Sequence, residues 1–163
     1  MAAIIGMDSE TVLNVTKDIK DVFVANYNSP VQIVITGDKE QINNNLDKFK
    51  EAGAKRVIPL SVSGAFHSPF MKPAGETFES YIKDFEFKDT KTPVFTNIDA
   101  EETYSGEAMQ RKLPKQIYSS VMWTQTINNI MKKGITEFIE AGPGKVLSLL
   151  VRGLFPKTIA SAP

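Results

Sequence analysis

The amino-acid sequence predicts a mixed α/β fold, of the α+β kind in its first part, made of two units. Over residues 1–62, apolar strand patterns and one-sided helical patterns follow in the order strand, helix, strand, strand, helix, strand. This order is typical of a ferredoxin-like βαββαβ subdomain. From residue 63 to residue 163, longer helical patterns alternate with isolated strands, which favours part of a parallel-sheet domain.

The first unit begins with an apolar strand at residues 2–5, which Gly6 ends. Asp8 is a favourable N-cap for the helix that follows, because its carboxylate can accept a hydrogen bond from a free N–H of the first turn. Two strand patterns then predict a hairpin whose turn lies near residues 28–30. The remaining predicted elements are strands at 22–25 and 31–36, a helix from 38 that Gly53 ends, and a strand at 57–62.

The second unit contains helical patterns that prolines and glycines interrupt. Pro114 must break the helix before it, because proline cannot donate a hydrogen bond to the preceding turn. The predicted elements are a helix from 73, a strand at 93–98, helices at 107–113 and 123–133, a strand at 136–140, a helix at 145–154 and an edge strand at 158–161.

Composition limits the functions that the chain can have. Nineteen basic and nineteen acidic side chains cancel, so no net charge attracts nucleic acid or an anionic membrane. The chain has no cysteine and one histidine, which together predict no disulfide and no metal site. No apolar run approaches the roughly 20 residues of a membrane-spanning helix. We therefore expect a cytoplasmic protein that binds neither nucleic acid nor membrane.

The only histidine, His67, lies in a small-residue segment at 61–71, between a predicted strand and a predicted helix. Loops at such junctions often present catalytic groups, and an imidazole can act as base and then as acid near neutral pH. The plainer interpretation is a structural histidine that caps a helix or is partly buried, and composition alone favours it. The hydroxyls of Ser61, Ser63 and Ser68 cannot transfer protons unaided.

Five sequence stretches favour the catalytic over the structural interpretation of His67. They are Gly64-Ala-Phe-His-Ser68, Asn26-Tyr-Asn-Ser-Pro-Val-Gln-Ile-Val34 with Gly37, Ala52-Gly-Ala-Lys-Arg-Val57, Lys115-Gln-Ile-Tyr118 with Val121-Met-Trp123, and Glu140-Ala-Gly-Pro-Gly-Lys-Val-Leu147. They cover nearly the whole chain and resemble, in order, the malonyl-CoA:acyl carrier protein transacylases and related polyketide acyltransferase domains. The resemblance implies malonyl transfer in fatty acid biosynthesis, and an α/β-hydrolase-like sheet in the second unit.

The family's nucleophile is a serine in a G-x-S-x-G elbow, and this string does not occur in the 163 residues. Residues 1–6 match a segment that lies well downstream of the elbow in full-length members. The resemblance therefore covers a C-terminal portion of a transacylase, without the serine, the arginine that binds the malonyl carboxylate, or the glutamine-rich turn of the oxyanion hole. We expect the isolated chain to be inactive.

The resemblance assigns catalytic roles to His67 and Gln116. The equivalent histidine takes the proton of the nucleophilic serine and later activates the carrier-protein thiol. A backbone carbonyl, matched by the segment around Gln116, orients the ring in place of a carboxylate. The plainer interpretation of Gln116 is a solvent-facing helix residue.

Three further residues match substrate-binding positions of the family. Phe66 occupies the position where members that select malonyl over methylmalonyl groups carry an aromatic ring, which leaves little room for a branch. Its plainer interpretation is core packing. Asn26 and Asn28 match the acyl and pantetheine entrance, although asparagine is also an ordinary turn residue. Val31 departs from the family, which usually has glycine there, so a stiffer turn is expected.

The resemblance implies malonyl-CoA as substrate and an acyl carrier protein as partner, with no metal or redox cofactor. A basic rim would raise the encounter rate with an acidic carrier protein, although each charge alone is an ordinary surface residue. The candidates for this rim are Lys55, Arg56 and Arg152. We also expect apolar edges that bind either a missing N-terminal half or other copies of the chain.

Two alternatives remain open at this point. The chain could be a truncated paralogue that binds carrier protein or CoA without chemistry, which is a different functional class. It could also be a fragment whose parent polypeptide continues upstream of Met1. Binding without turnover would favour the first alternative.

Overall fold

The computed structural model describes residues 1–161, so the end of the predicted second unit, Ala162 and Pro163, lies outside the described residues. The strands are β1 Ala2–Ile5, β2 Val22–Ser29, β3 Gln32–Gly37, β4 Arg56–Pro59, β5 Val94–Phe95, β6 Glu102–Thr103, β7 Glu137–Ile139 and β8 Ile159–Ser161. The α-helices are α1 Ser9–Lys17, α2 Lys39–Asn44, α3 Leu46–Glu51, α4 Lys72–Ile82, α5 Gly106–Lys112, α6 Trp123–Lys132 and α7 Val146–Leu154. Short 3-10 helices cover Pro69–Met71 and Pro114–Ile117.

The first four strands form one sheet in the order β2-β3-β1-β4, and every neighbouring pair is antiparallel. This is the order that a βαββαβ chain produces when its two halves interleave, because β1 lies between β3 and β4. The predicted ferredoxin-like architecture is therefore confirmed. The boundary at residue 62 stays a prediction.

The two faces of this sheet bury different side chains, as the alternation along a strand requires. One face carries Ile4, Ile33 and Ile35, which are fully buried against side chains of α1, α2 and α3. Those helical side chains include Val12, Ile42 and Phe49. The opposite face carries the smaller cluster of Ala3, Ala25 and Val34.

Local hydrogen bonds explain where the first helices begin and end. The carboxylate of Asp8 accepts from the backbone N–H of Thr11 at 2.9 Å, so the predicted N-cap of α1 is confirmed. Gly53, with φ of +108°, ends α3 as predicted. The predicted single helix before Gly53 is wrong, because it divides at Asn45. The side-chain amide of Asn45 donates to the carbonyl of Gln41 at 2.7 Å, and its backbone leaves helical geometry.

The hairpin between β2 and β3 is confirmed, but its turn was placed too early. Strand β2 continues to Ser29, and only Pro30 and Val31 form the turn. Asn26 and Asn28 are therefore strand residues and do not flank a turn. Val31 is half-exposed and does not adopt a positive φ, so the turn accommodates a β-branched residue without left-handed backbone.

The strands after residue 63 differ from the predicted ones in two places. The predicted strand at 93–98 is reduced to β5, and β6, which was not predicted, pairs antiparallel with it to form a small hairpin. The parallel pairing is between β7 and β8. One face of this pair, with Phe138 and Ala160, packs on α6 and α7. The other face exposes Ile139 at 71% and Ile159 at 63%.

The edge of β2 also bonds to the chain that precedes α6. The backbone N–H of Val121 donates to the carbonyl of Ala25 at 2.7 Å, and the carbonyl of Val121 accepts from Tyr27 at 2.9 Å. The bridge runs parallel to β2, so the chain before α6 extends the sheet locally. Within residues 1–161, no helix combines the length and the apolar character needed to cross a membrane.

Candidate active site

His67 lies on the loop between β4 and α4, with its side chain half-buried. Its φ of +60° is left-handed, which is uncommon for a residue with a Cβ atom. The backbone N–H donates to the carbonyl of Ile117 at 3.1 Å. The histidine is therefore held against the 3-10 helix Pro114–Ile117, although the two are 50 residues apart in sequence.

The ring is fixed by two more carbonyls from the same segment. Nδ1 of His67 lies 3.0 Å from the carbonyl oxygen of Gln116 and 3.1 Å from that of Ser119. Carbonyl oxygens only accept, so Nδ1 must carry the proton and donate to both. The neutral ring then has its lone pair on Nε2, for which residues 1–161 supply no hydrogen-bond partner. This tautomer can take a proton at Nε2.

Gln116 contributes to this geometry through its main chain. Its side chain turns the other way, because Oε1 accepts from the backbone N–H of Asn97 at 3.2 Å. The residue is half-buried and does not simply face solvent. The structure thus brings together His67 and Gln116, and it adds Ser119, which the sequence did not single out. No side-chain pattern could have revealed Ser119, because every residue carries a carbonyl.

The segment that follows Gln116 is fastened to the edge of β2. The hydroxyl of Ser120 donates to the carbonyl of Val24 at 2.7 Å, next to the two backbone bonds of Val121. The hydroxyl of Thr124 donates to the carbonyl of Tyr27 at 2.8 Å. These bonds fix the path of the chain that presents the two carbonyls to His67.

Helix α4 supports the segment from the other side through a close approach at Gly75. A Cβ atom at Gly75 would lie 2.5 Å from Cδ1 of Tyr118 and 3.0 Å from the carbonyl oxygen of Pro114. Only a residue without a side chain allows this distance. An isolated glycine inside a helical pattern usually has such a packing reason, so this signal was present in the sequence.

A polar network holds the turn that contacts the side chain of Gln116. Lys112 Nζ lies 2.7 Å from Asp99 Oδ2, and the hydroxyl of Thr96 donates to Oδ1 at 2.6 Å. Burial favours the neutral form of Asp99. The hydrogen bonds from Lys112, Thr96 and the Glu101 backbone outweigh it and hold the pKa of this carboxyl below its usual range. The ionised form therefore ties the turn to α5.

His67 borders a cleft of about 650 Å³ that runs between α1, the edge of β2 and the segment at 118–120. Most of its lining is apolar, with Lys17 at the end of α1 and Lys20 and Asp21 shortly after it. Burial raises the pKa of Tyr27, whose side chain also lines the cleft. Phe23 of the cleft lining makes an edge-to-face contact with Phe70, which follows the histidine loop, with ring centroids 6.1 Å apart.

Phe66 is not a core residue, because 40% of it is exposed. Its ring lies against Gly64, where a Cβ atom would be 3.6 Å from the ring carbons. The partly exposed ring is free to contact a bound molecule. A smaller cavity of about 310 Å³ is lined by residues 61–65 together with Met1 and Lys39, and Phe66 lines neither this cavity nor the cleft that His67 borders.

The other predicted binding residues are not gathered around His67. Among the described residues, neither Asn26 nor Asn28 lines the cleft that His67 borders, although both are half-buried on β2. Lys55 and Arg56 lie at β4, on one edge of the sheet. Arg152 lies on α7, which contacts the opposite edge strand β2, and its guanidinium donates to the carbonyl of Ala160. Lys55 and Arg56 thus lie near one edge of the sheet and Arg152 near the other, and a basic rim formed by all three stays a prediction.

The turn Gly142-Pro-Gly144 leads into α7, whose N-terminus is already satisfied. The carboxylate of Glu140 accepts from the backbone N–H groups of Ser148 and Leu147 at 2.9 and 3.1 Å. These bonds lower the pKa of Glu140. The chain's own carboxylate thus occupies the place that a bound anion would need. Within residues 1–161, no group of three or more acidic or histidine side chains is placed to hold a metal ion.

Comparison with known proteins shows the family of the chain. The profile of the acyl transferase domain family matches residues 1–157. The chain belongs to this family. Malonyl CoA-acyl carrier protein transacylases of Staphylococcus aureus (strain MSSA476) and Bacillus subtilis (strain 168) are 43% and 44% identical over 156 residues, or 93% of this chain.

A solved structure of a type II PKS acyl carrier protein in complex with its malonyl-transacylase superposes with a TM-score of 0.94. The matched chain of that structure is 36% identical to this chain, and the match covers 99% of this chain and 53% of the matched chain. The chain also spans about half the length of the curated relatives it matches, 51% and 49% for the two transacylases above. The family is established, and the chain corresponds to about half of such a protein.

Substitution of Gly75 by alanine tests whether α4 supports the histidine clamp. We expect Gly75→Ala to lower the free energy of unfolding by about 1–3 kcal/mol, because the new methyl group would overlap the ring of Tyr118. Urea denaturation measures this change. The matched control is Gly153→Ala in α7, where no atom lies within 4 Å of the added Cβ. It should gain up to about 1 kcal/mol from helix propensity. Equal effects at both sites would contradict the proposed close contact.

Proposed function

We propose that this chain supplies the general base for transfer of a malonyl group from coenzyme A to the thiol of an acyl carrier protein. The observation that carries the proposal is the geometry of His67. Two main-chain carbonyls hold the proton on Nδ1, which leaves Nε2 to exchange protons with a nucleophile. A base fixed in one tautomer suits a reaction in which the same atom must accept and return a proton.

The reaction proceeds in two acyl transfers through a serine ester. Nε2 takes the proton of the serine hydroxyl as its oxygen attacks the malonyl thioester carbonyl, and the tetrahedral intermediate expels the coenzyme A thiolate, which leaves with that proton. In the second transfer, Nε2 takes the proton of the carrier-protein thiol. The resulting thiolate attacks the ester, and the serine oxygen recovers a proton as it leaves. The carbonyls of Gln116 and Ser119 stabilise the imidazolium that forms twice in this cycle.

The nucleophile must come from polypeptide outside this sequence. Three observations support this part of the proposal: the G-x-S-x-G string does not occur, the chain matches about half of each relative, and apolar side chains are exposed around β7, β8 and α7. Ile139, Val146, Leu149 and Ile159 are each more than 60% exposed. We propose that the remaining polypeptide covers this face and that, without it, copies of the chain associate there.

A complementation experiment tests the proposed reaction. The isolated chain should form no covalent malonyl adduct with malonyl-CoA, as measured by intact-mass spectrometry, because it has no activated serine. Mixing it with the residues of the Staphylococcus aureus relative that lie outside the match should produce an adduct on that partner and transfer to carrier protein. The variant His67→Ala should lower turnover of the mixture by about 10²- to 10⁴-fold.

Three results would contradict the proposal. A malonyl adduct on the isolated chain would show that it owns a nucleophile. Equal turnover of the mixture with and without the His67 substitution would show that His67 is not the general base. Binding of carrier protein or CoA with no turnover in any mixture would favour a non-catalytic binding module.

We further propose that Phe66 selects malonyl over methylmalonyl groups. Two observations support this proposal: its ring is partly exposed, and the residue directly precedes His67 in the sequence. In the complemented enzyme, Phe66→Ala should raise the ratio of kcat/KM for methylmalonyl-CoA to that for malonyl-CoA by about 10- to 200-fold, the value of one methyl group in a fitted site. The control is Phe85→Ala, an exposed aromatic residue beyond the end of α4. An unchanged ratio, or the same change in both variants, would assign Phe66 no role in selection.

Docking of the carrier protein is proposed at the β4 edge. Lys55 and Arg56 are adjacent and exposed, and the aliphatic stem of Lys55 packs over Gly6. Arg152 is a separate candidate on α7. The charge-reversed variant Lys55→Glu/Arg56→Glu should weaken binding of an acidic carrier protein and reduce its salt dependence, whereas Arg152→Glu should not if docking uses only the β4 edge. Titration with carrier protein at two salt concentrations measures the affinity and its salt dependence. If Arg152→Glu weakens binding and the double variant does not, docking takes place at α7.

We propose that Asn26 and Asn28 line the acyl and pantetheine entrance, on the side of β2 opposite the cleft that His67 borders.

We also propose a division into units at residues 1–62 and 63–163, and a cytoplasmic location.

A further inference from the structure

The loop that carries His67 is closed by a buried serine. Ser68 directly follows the histidine, and none of its surface is exposed. Its hydroxyl donates to the carbonyl of Ala65 at 2.5 Å. A standard β-turn over residues 65–68 would use the backbone N–H of its fourth residue for this bond, and here the hydroxyl makes it. The bond therefore spans the four-residue loop whose third member is His67.

This closure acts on a strained residue. The left-handed φ of His67 costs on the order of 1 kcal/mol or more, and such a conformation persists only where the surroundings impose it. The N–H of His67 is bonded to the carbonyl of Ile117. The Ser68 bond restrains the chain on the far side of the histidine. Without it, the backbone could relax and carry Nδ1 away from its two acceptors.

We propose that Ser68 is a positioning residue for proton transfer at His67. Its hydroxyl holds the loop in the conformation that places Nδ1 between the carbonyls of Gln116 and Ser119, and so keeps the lone pair on Nε2. The hydroxyl itself is buried and already donates to Ala65, so it is not a nucleophile. The proposal relies on the proposed function only for the task of the histidine. The geometry can be measured without any turnover.

The single histidine of the chain makes this measurement direct. In a sample labelled with ¹⁵N in histidine, a two-bond ¹H–¹⁵N correlation spectrum distinguishes the protonated ring nitrogen from the bare one. We expect the neutral ring of the unmodified chain to be mainly in the Nδ1–H form. In Ser68→Ala, the ratio of the Nδ1–H to the Nε2–H form should fall roughly five- to tenfold, the effect of losing about one hydrogen bond.

Matched variants separate positioning from general damage. Ser63→Ala removes an exposed hydroxyl from the same loop and should leave the ratio unchanged. Ser68→Thr keeps the hydroxyl and should keep the tautomer ratio of the unmodified chain. Ser68→Cys keeps the volume but has a weaker donor, so its ratio should lie between those of Ser68→Ala and the unmodified chain. Circular dichroism and amide spectra establish that each variant is folded. If Ser68→Ala does not fold, the Cys and Thr variants carry the comparison.

The proposal is overturned if folded Ser68→Ala keeps the tautomer ratio of the unmodified chain, or if Ser63→Ala lowers it equally. A folded Thr variant that behaves like Ala would also overturn it. Failure of the complementation assay leaves these spectra unaffected, so the proposed function and the role of Ser68 can fail separately.

Discussion

The clamp on the imidazole of His67 is the interaction on which the site depends. Three main-chain carbonyls between residues 116 and 119 receive the backbone N–H and Nδ1 of a residue about 50 positions earlier. Contacts this distant in sequence exist only if the intervening chain folds correctly. The clamp therefore joins the loop after the ferredoxin-like sheet to the segment that leads into α6.

Three separate supports hold the carbonyl segment in place. The edge of β2 bonds to Ser120 and Val121, helix α4 approaches it at Gly75, and the turn that Asp99 stabilises receives the side chain of Gln116. Each support uses a different kind of interaction, namely backbone pairing, close packing and a charged network. A ring oriented by neutral carbonyls needs such supports more than one paired with a carboxylate, because the orienting group brings no net charge of its own.

Local signals in the sequence predicted most of the first unit. The N-cap at Asp8 and the glycine that ends α3 depend on neighbours within a few residues, so short patterns contain the necessary information. The strand order depends on distant pairing, and it was predicted from the succession of strands and helices along the chain. The split at Asn45 was missed because a side-chain amide competes with the helix for a carbonyl, which no periodicity shows. The predicted strand at 93–98 was longer than the observed β5, because the extent of a strand depends on the partner with which it pairs.

The sequence predicted the site only where a side chain, and not a backbone atom, has the functional role. His67 was found because it is unique and its surroundings resemble a family motif, whereas Ser119 contributes a backbone atom. The basic residues show a related limit: Lys55 and Arg152 are both ordinary charged residues in the sequence, and only the folded sheet shows that one lies near β4 and the other near β2.

The use of main-chain acceptors changes which mutations this protein can absorb. Replacing the side chain at 119 leaves its amide carbonyl in position, and replacing the one at 116 removes only the bond from Asn97, so a scan of single substitutions would understate the importance of both carbonyls. Insertion or deletion of one residue between Pro114 and Val121 would instead shift both oxygens relative to the ring. The length of that short connection is therefore more tightly constrained than its composition.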